Sequence, residues 1–130
     1  MPGRRYRPGM DDRVRTALEH DLTVDITTTG ARSGGPRRLE IWMLHIDGRF
    51  FITGTPGPRS WLANLRAHPA LTVHLKQGVA AEVAGTAREV TDEPTRRLVL
   101  THAAAEWYRG QAPVERLVAE APMVELTFGV

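Results

Sequence analysis

The sequence predicts a small, mainly β barrel with helical caps. Three observations carry this prediction. Six short runs either alternate apolar and polar residues or are apolar on both faces. Consecutive runs are joined closely enough to pair antiparallel, and the helical patterns are inserted among the strands rather than alternating with each one. At 130 residues the chain makes one domain with a core that needs neither disulfides nor a structural metal. There are no cysteines, which excludes disulfides, thiolate metal sites and cysteine nucleophiles. No apolar run approaches the roughly 18 residues of a membrane span, and the start of the chain lacks a signal-peptide h-region, so a cytoplasmic protein is expected.

Residues 1–9 carry Arg4, Arg5 and Arg7 among prolines and glycines. They predict a mobile basic arm, and residues 10–130 the single domain. A helix is expected over 10–20, with Asp11 and Asp12 in its first turn and Val14, Ala17 and Leu18 on one face. The first strand, 22–28, alternates Val24, Ile26 and Thr28 against Thr23, Asp25 and Thr27. The second, 39–46, is apolar on both faces, as in a strand covered on both sides. Asp47-Gly48 predicts a two-residue hairpin into a third strand over 49–53. Ser60 is the expected N-cap of a helix over 61–68, stopped by Pro69. A fourth strand follows over 71–76. Gln77-Gly78 turns the chain into a fifth over 79–89, where Gly85 signals bending or close packing. Thr91-Asp92-Glu93-Pro94 opens a helix running to Trp107, Pro113 opens a short one to Glu120, and 123–128 is the sixth strand. The total is about six strands and three to four helices.

The formal charge is +2, and of 17 basic residues all but Lys76 are arginines. Arginine binds oxyanions bidentately, so anionic ligands are indicated if placement supports them. Nucleic acid is not, because no helix carries a basic stripe interleaved with aromatics. The histidines (His20, His45, His68, His74 and His102) show no HxH or HExxH spacing, so no metal site is expected. His45 reads as a satisfied barrel residue. There is no GxSxG elbow, GxGxxG or P-loop. Two loops stand out instead. Residues 27–38 combine three threonines, Gly30, Arg32, Ser33, Gly34, Gly35, Arg37 and Arg38, and residues 54–59 combine Gly54, Thr55, Gly57 and Arg59. Alone, the first loop is equally a hairpin with solvated arginines. Together they can cradle phosphate while a planar ring lies on the barrel wall, so that the redox chemistry belongs to a cofactor.

Several motifs extend this reading: Thr27-Thr28-Thr29-Gly30-x-Arg32-Ser33-Gly34-x-Pro36-Arg37, then Asp47-Gly48-Arg49-Phe50, then Trp61-x-x-Asn64-Leu65-x-Ala67-x-Pro69-x-Leu71-x-Val73, and finally Ala87-Arg88-Glu89. Over about half of the chain they resemble the deazaflavin-dependent nitroreductase family, within the flavin-reductase-like split β-barrels. The resemblance implies a split β-barrel using the deazaflavin coenzyme F420, whose phosphate carries an oligoglutamate tail, or else FMN. It implies hydride transfer to an activated small-molecule electrophile such as a quinone, enone or nitro compound. Carried over by position, Arg32, Ser33, Arg37 and Arg38 meet the phosphate or acidic tail. Thr53, Gly54, Thr55 and Gly57 line the ring, and Arg59 adds a phosphate contact. Trp61 and Asn64 belong to the motif, with core packing and a helix-to-loop tether as their competing roles. Thr55 is the candidate catalytic hydroxyl. Trp107 and Tyr108, all that remains here of the family's tyrosine-rich C-terminal segment, face the substrate or pack the helix on the core. A non-catalytic binder of a flavin, haem or fatty acid on the same barrel stays open, as does a homodimer.

Overall fold

The computed structural model describes residues 11–128, so the expected basic arm lies outside the described residues. In chain order the elements are α1 (Asp12–His20), β1 (Thr23–Thr29), β2 (Pro36–Trp42), β3 (Leu44–Ile46), β4 (Arg49–Thr53), α2 (Ser60–Ala67), β5 (Ala70–Leu75), β6 (Ala81–Glu89), α3 (Glu93–Thr101), a 3₁₀ turn (Ala103–Ala105), α4 (Glu106–Arg109), α5 (Val114–Glu120) and β7 (Met123–Phe128). The strands form one antiparallel sheet in the order β2-β1-β5-β6-β7-β4-β3.

That order places β2 and β3 at opposite edges, yet only Met43 separates them in the chain. Two edge strands joined by one residue must run on end to end, so the edges of the sheet are drawn together and the sheet is forced to curl. Met43 is buried and its N–H donates to Leu22 O at 2.8 Å, which holds the junction to the start of β1. The run expected as one strand over 39–46 is therefore two, pairing first with β1 and then with β4. This gives seven strands among the described residues, against the six expected, and five α-helices against three to four. The side-chain alternation passes through the junction unbroken. Leu39, Ile41 and Met43 face the interior cluster with Val24, Ile26, Ile52, Val73 and Leu126, which α1 and α2 close with Leu18, Trp61 and Leu65. Trp42, Leu44 and Ile46 face a second cluster with Phe51 and Met123, covered by Val99, Leu100, Tyr108 and Leu117 of α3–α5. The two-sided apolar strand is explained by these two cores.

Local signals set most boundaries. Asp47 and Gly48 both have positive φ (52° and 76°), as a type I′ hairpin requires. An added Cβ at Gly85 would stand 3.0 Å from the Phe128 ring across the β6–β7 ladder, which is the close packing expected there. His45 stacks on Phe50 with ring centroids 4.8 Å apart. Asp11 and Asp92 cap α1 and α3 through Arg13 N and Thr95 N. Two expectations fail. Ser60 is the first residue of α2 and Arg59 is its N-cap, without a side-chain cap bond. The helix expected to reach Trp107 stops at Thr101, because His102 turns extended and its Nδ1 accepts from Ala104 N at 3.0 Å. Arg109 Nη1 then donates to the carbonyls of Leu100 and His102, both at 2.8 Å, satisfying the broken end.

Arg96 holds the helical layer together. It is buried, and its guanidinium donates to Val118 O (2.6 Å), Val90 O (2.9 Å), Ala121 O (2.6 Å) and Leu117 O (3.4 Å). One cation thus closes the C-terminus of α5 and ties it to the chain leaving β6. Arg96→Met strands those carbonyls and is expected to lower unfolding free energy by about 3 kcal/mol in urea titrations. Arg97→Met, its exposed neighbour with ion pairs to Glu93 and Glu115, is expected to cost less than about 1 kcal/mol.

Candidate functional site

The loop leaving β1 is held from within and from outside. Gly30 N–H donates to Gly35 O (2.8 Å), Gly34 N–H to Gly30 O (2.9 Å), and Gly35 N–H to Ser33 Oγ (3.2 Å). From α2, buried Asn64 accepts from Ala31 N–H through Oδ1 (2.9 Å) and donates from Nδ2 to Thr28 Oγ1 (3.0 Å). Asn64 therefore has the tether role. Trp61 is buried in the interior cluster, where it also floors the cleft.

That cleft, about 600 Å³, is bounded by Gly30, Arg32, Ser33, Arg37 and Arg38 on one side and by Ser60, Trp61 and Asn64 on the other. Its arginines differ. Arg32 has no hydrogen bond or ion pair among the described residues, and Arg37 bonds only to Pro36 O (3.0 Å). Arg38 lies on the other face of β2, with Nε on Asp25 Oδ2 at 3.0 Å. Asp25 also takes Lys76 Nζ at 2.6 Å, and Lys76 reaches Glu40 as well. Lys76 and Arg38 together hold the Asp25 carboxyl below its ordinary range, and Asp25 and Glu40 push Lys76 up.

The second loop curls around its own arginine. Arg59 Nη2 donates to Thr55 O and Thr55 Oγ1 (both 2.9 Å), and Nη1 donates to Gly57 O (3.2 Å) and Pro58 O (3.1 Å). The structure thus gives Arg59 a loop-shaping position rather than an open one. A Cβ on Gly54 would come within 3.3 Å of that guanidinium, so the wrap is close at this glycine. Thr53 turns its hydroxyl inward to Pro122 O at 2.7 Å, and Gly57 opens onto a separate cleft beside Arg66 and Arg96. Of this loop, Gly54, Thr55 and Arg59 line a further cleft of about 340 Å³ with Glu40, Ile41, Trp42, Trp107 and Tyr108. Trp42, Trp107 and Tyr108 meet edge to face with centroids 5.3–6.0 Å apart. Tyr108 is buried, which pushes its phenol up, whereas Trp107 is 52% exposed at the rim. Sequence reasoning missed Glu40 and Trp42. Their signal was the outward face of β2, which is cationic at Arg38, acidic at Glu40 and aromatic at Trp42.

The two clefts follow one another along β2, with Arg37–Leu39 in the first and Glu40–Trp42 in the second. The bonds Gly30 N–Gly35 O and Met43 N–Leu22 O fix the phase of the β1–β2 ladder. Antiparallel alternation then turns the backbone groups of Arg38 and Glu40 away from β1, toward the split in the sheet. Among the described residues no group of three or more His, Asp or Glu side chains could hold a metal ion.

The profile of the F420H(2)-dependent quinone reductase family matches residues 4–119. The chain belongs to this family. Three solved structures share its split-barrel-like fold. A structure described as F420 reductase matches with TM-score 0.64 and 18% identity, covering 89% of this chain and 93% of that one. An F420-H2-dependent reductase matches with TM-score 0.58 and 22% identity, covering 82% and 95%. A protein of the pyridoxine-phosphate oxidase family from Clostridium acetobutylicum matches with TM-score 0.66 and 16% identity, covering 92% and 86%. As an F420H(2)-dependent quinone reductase family member, the protein is a deazaflavin-dependent oxidoreductase with F420 as its coenzyme. The residues present fit that group: Arg32 and Arg37, which have no carboxylate partner among the described residues, suit phosphate and carboxylates at one end, and a cleft walled by aromatic rings follows along β2. No helix among the described residues is long and apolar enough to cross a membrane.

Since the hydrogen bonds that fasten the glycine loop and the end of β1 to α2 among the described residues come from Asn64, Asn64→Ala is expected to weaken F420 binding about tenfold, the worth of one to two lost hydrogen bonds. Coenzyme fluorescence titration measures this, with circular dichroism checking that the fold persists.

Proposed function

We propose that this protein reduces quinones with F420H2, holding the anionic end of the coenzyme in the cleft of the 30–38 loop and the acceptor in the aromatic cleft. The supporting observation is that a cationic and an aromatic cleft lie in series along one strand, at the open edge of the sheet. Bound there, the reduced coenzyme supplies a hydride, and a proton from solvent completes the hydroquinone.

The chain's own groups position and polarise. Arg32 and Arg37 receive the phosphate or glutamate carboxylates as charge-assisted forks, with Ser33 beside them. Arg38 adds positive charge while anchored by Asp25. Thr55 is the polarising hydroxyl. Its oxygen already accepts from Arg59, so its hydrogen is free to donate to the acceptor oxygen as negative charge develops there. Gly54 keeps the ring-side backbone bare. Trp107 and Tyr108 meet the flat faces and edges of the acceptor, and Trp42 backs both rings.

In steady-state oxidation of F420H2 by menadione, Arg32→Ala and Arg37→Ala are each expected to raise the coenzyme KM about tenfold with kcat nearly kept. Thr55→Val is expected to lower kcat tenfold or more with coenzyme KM unchanged. Enones and nitroarenes tested alongside define the acceptor range. No coenzyme oxidation with any quinone overturns this function, and unchanged KM in both arginine variants overturns the assignment of the loop.

A further inference from the structure

We propose that Glu40 sets the charge preference of the acceptor cleft, favouring uncharged planar acceptors over anionic ones. The inference rests on the reading that this cleft takes the acceptor. Among the described residues lining the cleft, Glu40 is the one carboxylate and Arg59 the one cation. The two are not equivalent to an incoming ligand. Arg59 directs four N–H bonds at its own loop, to oxygens of Thr55, Gly57 and Pro58, and so presents no open fork to an anion. The Glu40 side chain is 64% exposed and faces solvent at the cleft mouth. Its charge is balanced from behind by Lys76, which does not line the cleft and is shared with Asp25.

The position of Glu40 on β2 sharpens this. Arg38, Glu40 and Trp42 share one face of the strand, because side chains alternate with period two. The sign of charge therefore reverses between the cationic cleft and the aromatic one within a single side-chain spacing. An anion entering beside Trp107 meets a carboxylate with no donor fork to compensate, whereas a neutral quinone meets rings and the Thr55 hydroxyl. Because Glu40 is solvated, the discrimination is modest and screened by salt.

The test compares kcat/KM for menadione with that for a naphthoquinone sulfonate at saturating F420H2, in wild type, Glu40→Gln and Lys76→Met. The anionic-to-neutral ratio cancels differences in folded fraction and coenzyme loading. At low ionic strength, Glu40→Gln is expected to raise the ratio about threefold and Lys76→Met to lower it about twofold, with both differences shrinking in molar salt. A ratio unmoved by Glu40→Gln, or moved in the same direction by both variants, overturns the role of Glu40 while leaving quinone reduction standing. Failure of the wild type to reduce either acceptor instead overturns the reading of the cleft, and with it this inference.

Discussion

Met43 joins two strands that the sheet order places at opposite edges, and the architecture follows from that short link. A flat sheet would hold those edges six strand spacings apart, so the chain curls, and the partner changes from β1 to β4 at the point where β2 becomes β3. The exchange leaves β2 paired on one side only. The backbone groups of Arg38 and Glu40 then face a split instead of a neighbouring strand. Both clefts lie along that edge. In a fully laddered barrel this edge would be closed by another strand, so the opening is a geometric result of the connection.

The arginines show how one residue type is divided among unlike tasks by its surroundings. Arg96 and Arg109 close helix ends through carbonyls. Arg49, Arg66, Arg88 and Arg97 pair with glutamates on the surface. Arg59 shapes a loop, and Arg38 is steadied by an aspartate across the ladder. Arg32 and Arg37 are left with the weakest internal engagements, and they stand in the first cleft. What distinguishes them is that neither a carboxylate nor a set of several carbonyls takes up their guanidinium groups.

The strands were legible because burial imposes period two directly on the residues, as in Val24-x-Ile26-x-Thr28. The hairpin at Asp47-Gly48 was legible because few residues adopt two successive positive φ values. The division of β2 from β3 was not, since the alternation of inward and outward residues runs straight through Met43 and only a non-local partner changes. The break at His102 was hidden for a different reason: an alanine-rich stretch looks helical until a side chain bonds to the backbone two residues on. At the site, the glycine and arginine loops were visible as composition. Which guanidinium is open depends on Asp25 and on the Thr55 and Gly57 carbonyls, contacts that only folding reveals. Glu40 and Trp42 were hidden for the same reason, as ordinary strand residues until Trp107 is brought opposite.

The second core bears on what a substitution near Trp107 can reach. Its helices rest on the outer face of β3, β4 and β7, whereas the glycine loop is fastened to α2 across the interior. The glycine-loop cleft and the rings of Trp107 and Tyr108 thus draw their support from different clusters on opposite faces of the sheet. Residues 102–120 are bound into that helical layer through Arg96 and Arg109. A substitution there can alter the surface presented by Trp107 and Tyr108 while the Asn64 bonds to the glycine loop keep their partners. One wall of the aromatic cleft is thus adjustable independently of the fastening of the glycine loop.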